Sequence, residues 1–113
     1  MRLVRFKESQ GYEPSGHHGV VNHLLAGRAL GTPAISVWHG EIQPGGGSDL
    51  HAHANSVQIY AGLTGELTVS NSSEEIVIGP GDVAILPAGE QHDIHNRSST
   101  SATLLVISSP ALR

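Results

Sequence analysis

GGGSDLHAHANSVQIYAGLTG, residues 45–65, is the stretch whose reading governs the rest of the chain. Its centre, His51-Ala52-His53, carries chemistry only in extended backbone. Residues i and i+2 of a strand share a face, so both imidazoles point the same way. On a helix they would stand about 200° apart and could not close on one ion. Gln58 follows at the start of the apolar run Ile59-Tyr60. Much later, Pro87-Ala88-Gly89-Glu90-Gln91-His92 reads as a turn leading into a new strand with a histidine at its start.

The surrounding chain favours extended structure. Its 14 glycines and 6 prolines leave little room for long helices. Between them lie short segments rich in β-branched residues: 20–25, 34–42, 57–60, 66–70, 75–78, 82–86 and 102–108. Strands of this length at such spacing predict an all-β sandwich or barrel with an aliphatic core. Asn71-Ser72-Ser73 suits a hairpin loop and Gly79-Pro80-Gly81 a tight corner. A length of 113 residues predicts one domain, with residues 1–19 as an N-terminal strand and loop and 20–109 as the barrel.

Composition narrows the function classes. Six Lys plus Arg against ten Asp plus Glu give a net charge of −4, which argues against nucleic acid because phosphate binding needs a basic footprint. No apolar run approaches the ~20 residues of a membrane-spanning helix, and the N-terminus lacks the apolar stretch of a secretory signal. The expected location is therefore cytoplasmic. With no cysteine, thiolate zinc sites and cysteine nucleophiles are excluded. Eight histidines beside so few aromatics point instead to a metal site built from imidazoles.

The spacing sharpens this reading. Gly45, five residues, His51-x-His53, four residues, Gln58, six residues, Gly65 resembles the first motif of the cupins. Gly81, five residues, Pro87-x-Gly89, two residues, His92, three residues, Asn96 resembles their second. Nine of ten fixed positions match, and the motifs span 52 of the 113 residues. The resemblance implies a double-stranded β-helix (jelly-roll) barrel. It also implies one divalent transition metal (Fe, Ni, Mn, Zn or Cu) held inside by His51, His53, residue 58 and His92, and a homodimer. Only the resemblance brings His92 to the other two histidines. Gly45, Gly65, Gly81, Pro87, Gly89 and Asn96 are assigned structural roles: glycine takes φ > 0 without steric cost, Pro87 fixes φ and stops pairing, and Asn96 ties a loop.

Gln58 departs from the family's usual glutamate. With three neutral imidazoles and a carboxamide the ion keeps a charge near +2. Such a site binds hard cations less tightly and favours an anionic ligand. The alternative is that Gln58 only hydrogen-bonds a metal-bound water.

Other candidates follow from strand parity. His39 and Glu41 share one face of a strand entering the first motif and are acid–base candidates if that face is inward; Trp38 and Ile42 on the other face are the more natural core set. Tyr60 has the parity of Gln58 and could offer its hydroxyl to a ligand. Arg97 and Arg28 are candidate anion clamps, while His17, His18 and His23 read as loop or surface histidines. The expected function is a small mononuclear metal enzyme acting on an oxygenated organic acid or an enolisable carbonyl, of dioxygenase, isomerase or cyclase type. The alternative is a non-catalytic module that binds or senses a small ligand or the metal.

Overall fold

Alternation of buried and open side chains dominates the molecule. In the computed structural model, which describes residues 1–113, Ser36, Trp38, Gly40 and Ile42 turn inward while Val37, His39 and Glu41 turn outward. The strands in chain order are β1 (His17–Ala26), β2 (Ser36–Ser48), β3 (Val57–Thr64), β4 (Leu67–Asn71), β5 (Glu75–Ile78), β6 (Val83–Leu86), β7 (His92–His95) and β8 (Ala102–Ser109), with 3-10 turns at Phe6–Glu8 and Arg28–Leu30. They pair in the order β5-β4-β7-β2-β8-β3-β6, with β1 also on β2 and all pairings antiparallel. The sheet folds over into a nearly closed jelly-roll barrel of the expected all-β class.

Strand β2 joins the two sides of the barrel. Its first half pairs with β8 from Ser36 to Ile42, and its far end meets β7 at Gly47. The sequence reading ends this strand at Ile42, because Pro44-Gly45-Gly46-Gly47 looks like punctuation. The glycines serve close packing instead. A Cβ on Gly46 would lie 2.9 Å from the carbonyl oxygens of His18 and Gly19, and one on Gly47 would strike the Ile94 carbonyl. Only bare backbone lets β1, β2 and β7 approach so closely, so the glycine run prolongs the strand.

The interior is aliphatic toward one end. Val20, Ile42, Leu67, Val69, Ile78, Ala84, Leu86, Ile94, Ala102 and Leu104 form one buried cluster with Tyr60. Burial of a side chain such as Ile42 or Leu104 is worth about 1.5–3 kcal/mol, set against the ordering of the chain. Asn71 closes the β4–β5 hairpin, its Oδ1 accepting the amides of Ser73 (2.9 Å) and Glu74 (2.8 Å). The segment after β8 rejoins the fold: Ala111 is buried and its amide donates to the Pro33 carbonyl at 3.2 Å.

Part of the outer face of the sheet is apolar. Ile85, Ile59, Ile107 and Val37 form one cross-strand row, and Val83, Ala61, Leu105 and His39 the next. Ile85 is 67% and Val83 56% exposed. No helix is long and apolar enough to cross a membrane.

Candidate metal centre

The two motifs meet through backbone. His51 and His92 exchange both main-chain hydrogen bonds, His51 N–H to His92 O at 2.9 Å and the reverse at 2.8 Å. The Gly89 amide donates to the His53 carbonyl at 2.9 Å, fixing the second histidine of the pair. The sequence reading puts His51-x-His53 on a strand; the structure gives His51 a single bridge and leaves His53 outside any strand. The segment is held by β7 and the Pro87–Gly89 turn rather than by a ladder of its own.

These contacts gather three imidazoles. One ligand atom from each of His51, His53 and His92 lies within 4.8 Å of the others. His51 Nδ1 donates to the Asp49 carbonyl at 2.7 Å and His92 Nδ1 to the Glu90 carbonyl at 2.9 Å. Each bond puts the ring proton on Nδ1 and leaves Nε2 as a free lone pair. Burial, then the neighbouring His51 and His92, lowers the pKa of His53, and burial lowers that of His92. Both rings therefore favour the neutral form that binds metal. The donor set fits a divalent transition metal ion, since imidazole nitrogen suits Zn, Cu, Fe and Ni.

Gln58, on β3, is buried beside this cluster. Its Oε1 lies 2.9 Å from His92 Nε2, and its Nε2 donates to Ser108 Oγ at 3.2 Å. Tyr60, two residues on, also points inward, its ring 5.9 Å from that of His92. Burial first, and the Asp93 carboxylate second, push its phenol well above the usual range. It stays protonated and able to donate.

His51, His53 and Gln58 line a cavity of about 810 Å³, together with Tyr12, Glu13, His17, Trp38, Asp49, Tyr60 and Arg113, and with apolar walls from Val20, Ile42, Leu104, Val106 and Leu112, while His92 is buried outside that lining. Besides His92, four sequence candidates are absent from this lining. His39 and Glu41 occupy the outer face of β2, where His39 stacks on Phe6 with centroids 4.2 Å apart; the inward parity belongs to Trp38. Arg97 is paired with Glu75 at 2.6 Å on the surface. Arg28 is turned to the Ala111 carbonyl.

The motif glycines Gly45, Gly65, Gly81 and Gly89 all have φ between 70° and 87°. At Gly65 the constraint is double, because a Cβ would also lie 2.9 Å from the Ser101 carbonyl oxygen. Pro87 directly follows β6. Asn96 is buried, donating to the carbonyls of Ile42 (2.9 Å) and Thr100 (2.8 Å) and accepting the Ser98 amide (3.0 Å). Tyr12, His17 and Arg113 are cavity residues that sequence reasoning missed. His17 sits 5.9 Å from the His51 ring, at the start of a strand predicted to begin three residues later. Tyr12 enters through an isolated bridge to Asn22, which no local pattern announces.

Comparison with known proteins agrees with this geometry. The cupin domain family matches residues 38–108. Over 107 residues the chain is 36% identical to a protein of Mycobacterium tuberculosis (strain ATCC 25618 / H37Rv) named beta-D-galactosidase, covering 94% of this chain and 91% of that one. It is 32% identical over 99 residues to germin-like protein subfamily T member 3 of Arabidopsis thaliana, covering 83% of this chain but 44% of that protein. Among solved structures, a predicted oxalate decarboxylase from Thermotoga maritima superposes with a TM-score of 0.85 at 27% identity, over 96% of this chain and 99% of that one. The chain belongs to the cupin superfamily, as a single cupin domain with the RmlC-like double-stranded β-helix fold.

Proposed function

We propose that this cupin is a mononuclear metal enzyme in which His51, His53, His92 and Gln58 hold one divalent transition metal, and that it acts on an oxygenated organic acid or enolisable carbonyl. The observation that carries the reading is the contact between Gln58 Oε1 and His92 Nε2 at 2.9 Å. With Nδ1 already donating to Glu90, both facing atoms are lone-pair donors, which a shared cation reconciles. Two ligands at about 2.1 Å and right angles lie about 3.0 Å apart, so the spacing suits adjacent positions around one ion. Turned over, the amide would donate to the imidazole and accept from Ser108, the arrangement expected of metal-free protein.

When bound, the cation would act as a Lewis acid toward substrate oxygens and, if iron, support oxygen chemistry. The chain's own residues do the rest. Neutral Gln58 leaves the site near +2, which favours an anionic substrate group. Tyr60, kept protonated by its burial, donates a hydrogen bond to a ligand oxygen. The aliphatic wall of Ile42, Leu104 and Val106 excludes water, which strengthens every polar contact within.

The test joins metal analysis of purified protein to oxygen-uptake and isomerase assays with small acids. Turnover that requires the metal supports the reading; tight binding without turnover across all metals would make the domain a binding module. Gln58→Glu should tighten metal binding and weaken anion preference. If neither changes, the charge argument is wrong.

A second reading, glycoside hydrolysis, is favoured by the 36% identical relative named beta-D-galactosidase. Glu13 and Asp49 supply two cavity carboxylates, and Tyr12 and Trp38 aromatic surface suited to a sugar. Hydrolysis of an aryl β-galactoside that persists in metal-free protein would favour it over the first.

The expected homodimer belongs to the same proposal. Four strands at about 4.8 Å spacing and two outward rows of about 6.8 Å each make a largely apolar face of roughly 260 Å². A second copy is the fitting occupant, since an apolar pleated sheet packs best on another such sheet and a two-fold axis needs no new surface.

A further inference from the structure

We infer that Arg113 is the anion-recognition residue of the cavity, and that the ligand is an elongated molecule with a chelating group at the histidines and a carboxylate at Arg113. This rests on the metal reading above and names the other end of its substrate. Arg5 pairs with Glu8 and Arg97 with Glu75, while Arg28 and Arg2 turn to main-chain carbonyls. Arg113 has no carboxylate within 4.0 Å and is the only Lys or Arg lining the cavity.

Its placement is built by the fold. The Ser56 hydroxyl donates to the Pro110 carbonyl (2.9 Å), the Leu112 amide to Ser36 Oγ (3.1 Å), and the Arg28 amide to the Arg113 carbonyl (2.8 Å). The guanidinium lies over the Tyr12 ring, 4.6 Å from its centroid. A face-on contact of this kind leaves the edge N–H groups free for a bidentate carboxylate. Tyr12 is itself fixed: its hydroxyl accepts Trp38 Nε1–H at 2.7 Å, so its own proton remains available to a ligand oxygen.

Size supports an extended ligand. A cavity of about 810 Å³ falls in the range that takes drug-sized molecules, and a two-carbon acid at the metal would leave most of it unfilled. Between the two polar ends, Ile42, Leu104, Val106 and Leu112 offer an apolar body its contact surface. Glu13 and Asp49 also line the cavity and repel anions; Glu13 is partly engaged by the Val20 amide at 3.3 Å. With a divalent cation bound, the positive charge it shares with Arg113 would exceed theirs.

The test crosses two variables in nickel-loaded protein, using aliphatic chains of six to ten carbons. One end is a hydroxamate or a primary amide; the other is a free carboxylate or its methyl ester. Calorimetry should give a hydroxamate preference that depends on the metal, and a carboxylate preference over the ester of about tenfold. Arg113→Gln should abolish the second preference and leave the first intact, with Arg113→Lys restoring part of it. Equal affinity of acid and ester in the wild type, or a preference that survives Arg113→Gln, would overturn the inference. Loss of the hydroxamate preference alone would instead overturn the metal reading.

Discussion

At one end of the β2-β8-β3-β6 sheet the two faces depart from the usual distribution of polarity. One inner row there carries Ser36, Ser108 and Gln58, beyond which the inner face turns to core residues such as Tyr60, Ala84 and Leu104, while the neighbouring outer row carries Val37, Ile107, Ile59 and Ile85. The inner polar groups are tolerable because each has a partner: Gln58 bonds Ser108, Ser36 takes the Leu112 amide, and Trp38 reaches Tyr12. The outer apolar rows stay partly open, most of all at Ile85 and Val83. Alternation along these strands therefore reports register, and does not by itself say which face is core. On the reading proposed above, the polar row belongs to the site and the apolar face is the docking surface.

The largest way to break this contrast is on the inside. His92→Ala removes the buried imidazole that joins both motifs, and should abolish stoichiometric metal binding, read by elemental analysis, together with any metal-dependent rise in melting temperature. Leu67→Ala, in the packed core away from the cavity lining, should cost about 2–5 kcal/mol in denaturant unfolding and leave metal stoichiometry unchanged. On the outside, Ile85→Lys should convert dimer to monomer in sedimentation equilibrium with metal content intact. A wild type that is already monomeric would remove the docking interpretation.

The smallest effect concerns His39. Burial, then the neighbouring His23, holds its pKa below the ordinary 6.5. The unfolded chain thus binds the proton more readily than the folded one. The stability this group contributes is full above about pH 6.5 and is lost as pH falls through that value. In chelator-treated protein, His39→Phe should flatten the fall in melting temperature between pH 7.5 and 5.5. An unchanged slope would mean the ring is freely solvated.

Much of this was legible in the chain, for identifiable reasons. Glu75–Ile78 was bounded on both sides by turn residues, and its strand has those limits. The parity of Trp38 and Tyr60 placed both inward, because a two-residue period survives any local twist. The glycine run 45–47 misled, since close strand approach and chain reversal use the same residue. The partner of His51 and His53 was legible only through a family pattern: the bridge to His92 spans 41 residues, beyond any local signal. Arg113 was invisible for a related reason, because four tail residues held by Pro33, Ser36, Ser56 and Arg28 leave no periodic trace. Arg28 and Arg97 were as good on paper, and their local partners decided otherwise.

Anomalous diffraction from crystals grown with nickel would locate the cation. A single peak about 2.1 Å from Nε2 of His51, His53 and His92, with Gln58 Oε1 as a fourth ligand, is the expected result. A peak elsewhere, or His92 turned away from the other two imidazoles, would contradict it.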